Sequence, residues 1–125
     1  MNVVRKPWGY ELWFAHTDKY AGKLIFFNKG YKGSLHYHVV KHETIYLDSG
    51  LVNLTLEDEN HDLMAREFRP GDAFVILPGR KHQVEAIEDS RIIEVSTPEL
   101  DDVVRVDDIY GRLTTQPSQK SEDKR

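Results

Sequence analysis

The sequence contains no cysteine, which excludes a disulfide framework and any thiolate metal site. It contains no apolar run approaching the roughly 20 residues that cross a bilayer, so no membrane is expected as a partner. The opening residues, Met1 to Trp8, read Met-Asn-Val-Val-Arg-Lys-Pro-Trp and lack the apolar h-region of a secretory signal. A cytoplasmic location is therefore expected. Positive charge is not in excess: 17 Lys and Arg against 21 Asp and Glu leave a net charge of -4, with a pI near 5.8. That balance argues against nucleic acid or an anionic membrane as the main partner. Long amphipathic helical patterns and internal repeats are missing as well.

What is present fits one domain. The chain has 125 residues, 39% of them hydrophobic, and a mean hydropathy of -0.57, enough to close a single core beneath a charged surface. Short runs of β-branched and aromatic residues alternate with Gly and Pro turns. Tyr20 to Asn28 contains Lys-Leu-Ile-Phe-Phe-Asn. Leu51 to Glu57 alternates cleanly, with Val52, Leu54 and Leu56 on one side and Asn53, Thr55 and Glu57 on the other. Leu63 to Phe68 returns as a strand after a polar loop that leaves His61 in solvent. Ala73 to Leu77 reads as a buried strand, and Arg91 to Ser96 as the last strand of a barrel. Thr97 to Asp102 resembles a capped helical turn. Residues 114–125 are polar and are expected to be a disordered tail behind a barrel domain spanning 1–113. Eight to ten such strands indicate an all-β barrel or jelly roll.

The chemistry concentrates between Gly30 and Gly50. His36 and His38 are two residues apart, so on a strand their imidazoles share a face, about 6–7 Å apart. Glu43 opens the next β-rich run, and His82 follows the Pro78-Gly79 turn. Three imidazoles and a carboxylate make a site for a divalent transition metal. An HxH pair alone would also suit a surface strand; the carboxylate and the remote histidine are what favour a metal. Lys23, inside a strand, belongs by default on the solvated face, though its stem could reach a pocket. Glu94 shares a face with Ile92. Trp8 and Trp13 read as core or dimer-contact residues.

These residues resemble the cupins. The first cupin motif, G(x)5HxH(x)4E(x)6G, is met by Gly30, His36, His38, Glu43 and Gly50. The second, G(x)5PxG(x)2H(x)3N, is met by Gly71, Gly79 and His82, with Pro78 one residue late and Ala86 in place of the final Asn. The resemblance implies a double-stranded β-helix, the jelly-roll barrel. Within the cupins the chain is most similar to the type II phosphomannose isomerase domain. Lys6-Pro7-Trp8-Gly9-Tyr10-Glu11 is similar to its RPWGxYE opening, and Ile93-Glu94-Val95 to its IEV strand. Asp101-Asp102-Val103-Val104-Arg105 through Asp108-Ile109-Tyr110-Gly111-Arg112 is similar to its EDDxxRxxDxYGR close. The chain departs from that pattern at His36 (Gln in the family), Lys41 (Arg) and Thr44 (His).

The resemblance implies a metal-dependent isomerase of a sugar or sugar phosphate. His36, His38, Glu43 and His82 would hold the ion (Zn, Fe, Mn, Ni or Co). Glu94 or Lys23 would be the general acid/base, and Arg105 and Arg112 would close over phosphate or enediolate. Structural roles compete with these: Glu94 as the buried partner of an arginine, the two arginines as anchors of the C-terminal segment. Two other functions remain open, an Fe(II)-dependent dioxygenase and a non-catalytic sugar-binding cupin. A homodimer is expected, because cupins are often dimers and the aromatic N-terminal run is a candidate edge strand.

Overall fold

Alternation along each strand sorts the side chains into one shared interior and two outward faces. The computed structural model describes residues 2–107. Its strands are β1 (Asn2–Lys6), β2 (Gly9–His16), β3 (Ala21–Phe27), β4 (Leu35–Tyr37), β5 (Glu43–Ser49) and β6 (Val52–Glu57). Then follow β7 (Leu63–Phe68), β8 (Ala73–Ile76), β9 (His82–Ala86), β10 (Ser90–Ser96) and β11 (Val104–Asp107). A six-stranded sheet runs β1-β2-β3-β10-β5-β8, and a five-stranded sheet runs β11-β4-β9-β6-β7. All pairings are antiparallel. Among the described residues there is no helix, and hence none long and apolar enough to cross a membrane.

The inner faces follow the period-2 rule. Ile45 and Leu47 on β5, Ile92 on β10, and Ile25 and Phe27 on β3 face Val52, Leu54 and Leu56 on β6 and Ala86 on β9. Trp8 caps this cluster by stacking on Phe27, ring centroids 3.9 Å apart. Leu47 and Leu54 lose all contact with solvent, a burial worth about 1.5–3 kcal/mol each. At the Ser49-Gly50 turn only glycine fits: φ is +97°, and a Cβ would lie 2.3 Å from Ser90 Oγ.

Four expectations change. Ala73 to Leu77 is not buried: β8 is an edge strand paired only with β5 among the described strands, and of these residues only Ile76 is buried. The chain does not leave the barrel after β10, because β11 pairs with β4. Residues 97–102 form a bend and turn, not a helical turn, since Thr97 N–H bonds to His42 O and the Asp102 carboxylate bonds to the 39–41 backbone. Lys23 is inside, not solvated: it lies on the inward register with Ile25 and finds carboxylate partners there. Arg112, Tyr110 and the expected tail lie outside the described residues.

Candidate metal centre and its cavity

β4 and β9 are paired with His36 opposite His82, which brings the two cupin-like motifs side by side. Gly79 N–H donates to His38 O at 2.7 Å, tying the Pro-Gly turn to the strand that carries the HxH pair. The His36 and His82 rings come within 4.2 Å, and His38 lies 5.1 and 5.2 Å from them, centroid to centroid. One ring nitrogen of each lies within 4.8 Å of the others.

Each ring is held by its other nitrogen. His36 Nδ1 lies 3.0 Å from Ser34 O, His82 Nδ1 2.9 Å from Arg80 O and His38 Nδ1 2.5 Å from Asp102 O. A carbonyl accepts only, so each Nδ1 carries the proton and each Nε2 is left with a lone pair. That is the tautomer a metal requires. Glu43 completes the group, its Oε2 2.7 Å from His38 Nε2 and 3.4 Å from His82 Nε2. His38 Nε2 and Glu43 Oε2 are buried and make no hydrogen bond, although they nearly touch. Donor atoms converging on a common point have this arrangement, and the donor set fits a divalent cation. The three-histidine cluster can hold a divalent metal.

Electrostatics agree. His36 is held well below the usual imidazole range by burial and by the neighbouring rings of His82 and His38, so it stays neutral.

Beyond Glu43, the cavity wall is a ladder of alternating charge. Lys41 Nζ is 3.6 Å from Glu43 Oε1 and 2.8 Å from Glu94 Oε2. Lys23 Nζ lies 3.9 Å from Glu94 Oε2 and 3.0 Å from Glu11 Oε1. Trp13 Nε1–H donates to the same Glu11 oxygen at 3.0 Å, and Lys23 Nζ sits 5.5 Å from the Trp13 ring centre. All five ladder residues are buried, Lys41 to 2% exposure. Burial and the nearby Glu43 carboxylate push Glu94 up to about 7, against the pull of Lys23 and Lys41. Burial opposes the Lys41 charge, yet Glu94 and Glu43 more than restore it, so its ammonium titrates above the usual lysine range.

These groups line one cavity of about 470 Å³, within the range of small-molecule sites. Its wall also includes Val4 and Lys6 on β1 and Arg105 on β11, the edge strands of the two sheets. Arg105 stands opposite His36 in register.

The structure thus brings together His36, His38, Glu43, His82, Glu94, Lys23 and Arg105. Sequence reasoning gave no role to Lys41 or Glu11, and none in this site to Asp102. Lys41 and Glu11 had a readable signal, since Glu11 belongs to the opening motif and Lys41 stands two residues before Glu43. The Asp102 clamp had none, because it joins segments more than 60 residues apart.

Neither a protein-family model nor a curated protein matches the chain. Solved structures do. KdgF from a Halomonas species is 29% identical over 82% of this chain and 90% of its own, with a TM-score of 0.70. Oxalate decarboxylase from Bacillus subtilis is 17% identical over 90% of this chain but 32% of its own, at a TM-score of 0.76; that enzyme contains Mn(II) centres. The capsular polysaccharide assembling protein CapF from Staphylococcus aureus is 17% identical over 85% of this chain and 34% of its own, at a TM-score of 0.69. The fold is the single-domain β-barrel of the cupins.

Proposed function

We propose that this protein is a metal-dependent aldose–ketose isomerase of the phosphomannose isomerase type, acting on a sugar phosphate or a similar polyhydroxy compound. One observation carries the reading. A buried carboxyl poised near neutrality, Glu94, faces the same cavity as the four candidate metal donors. Aldose–ketose isomerisation moves a proton between C1 and C2 through an enediolate, and a base titrating near pH 7 is suited to that transfer. The likeness to a capsular polysaccharide assembling protein agrees with a carbohydrate substrate.

His36, His38, His82 and Glu43 would hold the cation, which, when bound, supplies electrostatic stabilisation to negative charge developing on adjacent substrate oxygens. Ionised Glu94 takes the proton from one carbon and returns it to the next. Lys41 holds Glu94 Oε2 at 2.8 Å and keeps the carboxylate aimed. Lys23, placed between Glu11 and Glu94, offers its remaining donor to a substrate hydroxyl. Arg105 presents a planar fork to phosphate or enediolate. Arg112 would share that task, and it lies outside the described residues.

The test is elemental analysis of the purified protein and of a His38→Ala, His82→Ala variant, with aldose–ketose assays on the metal-loaded form. Near-stoichiometric metal, lost in the variant, is expected. Turnover should disappear in Glu94→Gln, which keeps its metal. Absence of metal after reconstitution would sink the mechanism. Oxygen uptake would move the protein to the Fe(II) oxygenases, and sugar binding without turnover to the binding proteins.

A further inference from the structure

Residues 97–107 form a strap that leaves the six-stranded sheet at the end of β10 and joins the five-stranded sheet as β11. It is fastened repeatedly along the way. Thr97 N–H donates to His42 O at 2.9 Å, and His42 N–H donates to Thr97 Oγ1 at 3.0 Å. His16 Nε2 on β2 lies 2.9 Å from Pro98 O. Leu100 is buried at 7% exposure, and with Val103 and Arg105 it lines the cavity. Asp102 makes the densest tie. Its carboxylate accepts the N–H groups of Val39, Val40 and Lys41 at 2.9, 2.7 and 2.9 Å, while its carbonyl accepts from His38 Nδ1.

Asp102 thus reaches the candidate metal centre through both its halves. Residues 39–41 lie between β4, which carries His36, and β5, which opens on Glu43. Hydrogen bonds to an ionised acceptor are the stronger kind, and three of them converge on this one connection. The carbonyl, for its part, fixes the tautomer and the aim of the His38 ring. The strap supports β4 as well. That strand has three residues and meets β9 at His36 opposite His82. β11 runs along its whole length, with Val104, Arg105 and Asp107 opposite Tyr37, His36 and Leu35. β11 is itself an edge strand of four residues, and short edges with few buried contacts open more readily than the core of a sheet.

We infer that Asp102 is a positioning residue that links metal loading to docking of the strap. The docked strap aims His38 and steadies the strands that carry His36 and Glu43, and a loaded centre in turn holds the strap in place. Such linkage is reciprocal: whatever factor docking adds to metal affinity, metal adds to docking. His38 transmits it. Acceptance of Nδ1–H by the Asp102 carbonyl raises the basicity of Nε2, and electron density drawn from the ring through Nε2 makes Nδ1–H a stronger donor. Leu100, Val103 and Arg105 ride on the same strap, so the cavity wall they form is completed together with the metal centre. The inference rests on the metal centre and not on the reaction proposed for it.

Hydrogen exchange of the full chain, without and with saturating Zn(II) or Mn(II) alone, reads the docking. Calorimetric titration with the same ions reads the affinity. Metal should slow exchange across 97–107 and 39–41 about tenfold or more. Asp102→Ala should weaken binding of the ion about 10–100-fold and abolish the metal-dependent protection of 97–107. Asp102→Asn, which keeps one acceptor oxygen, should fall between the two. Leu100→Ala loosens the strap with Asp102 in place, and it should weaken the ion by a smaller factor. Circular dichroism checks that each variant folds. A wild type that binds the ion without protecting the strap overturns the inference, and so does Asp102→Ala with wild-type affinity. Both of those results leave the proposed reaction standing, whereas a wild type that binds neither ion overturns the metal centre and the inference together.

Discussion

The two ends of the barrel interior are made by the same strands and differ in everything else. A step of two residues exchanges Lys23 for Ile25 on β3, Glu43 for Ile45 on β5, His82 for Val84 on β9 and Glu94 for Ile92 on β10. That step is about 7 Å. On one side of it lie Leu47 and Leu54, wholly buried and stabilising by ordinary transfer from water. On the other side lie ionised groups whose desolvation costs several kcal/mol per ion. They persist because each finds an opposite charge within 2.8–3.9 Å. The barrel draws its stability from one layer and places its buried charges in the next, and no helix occurs among the described residues.

Breaking the ladder should have the largest effect. Lys41→Met removes the cation between Glu43 and Glu94, and a buried pair that loses one partner costs about 3–5 kcal/mol. Chemical denaturation should register that loss, and a titration with divalent metal should show weaker binding because Glu43 is no longer held. Leu47→Ala tests the opposite end. It should cost about 2–5 kcal/mol through its cavity, while the folded fraction binds metal as the wild type does. Equal damage to metal binding from both variants would mean that the two ends are not separable.

The smallest effect sharpens the comparison by pH. In the metal-free protein Glu94 titrates near 7, above the 4.5 of an unperturbed glutamate. The native state therefore holds a proton that the unfolded chain gives up between these values, and stability falls as pH rises from about 4.5 to 7. Below that window both states are protonated and the effect vanishes. Glu94→Gln should flatten this part of the stability curve. An unchanged slope in the variant would assign the pH dependence to another group.

Much of this was legible beforehand. Period-2 alternation in Val52-Asn-Leu-Thr-Leu was enough to orient β6. The spacing of His36, His38 and Glu43 with His82 pointed to side chains that the structure brings together. Lys23 was misjudged because a lysine on a strand is usually solvated, and its partner Glu11 is 12 residues away on a different strand. Ala73 to Leu77 was misjudged because an apolar run looks the same at the centre of a sheet and at its edge.

Local pattern, then, determined the strands, the turns at Gly50 and Gly79 and the residue types of the candidate metal centre, since each depends on neighbours a few positions apart. Tertiary structure alone decided that Lys41 would sit between Glu43 and Glu94, and that Asp102 would clamp residues 39–41 and hold the His38 ring. Those outcomes depend on which strands become neighbours across the two sheets. A charge inside a barrel is stable only when pairing of distant segments brings its counter-charge within reach.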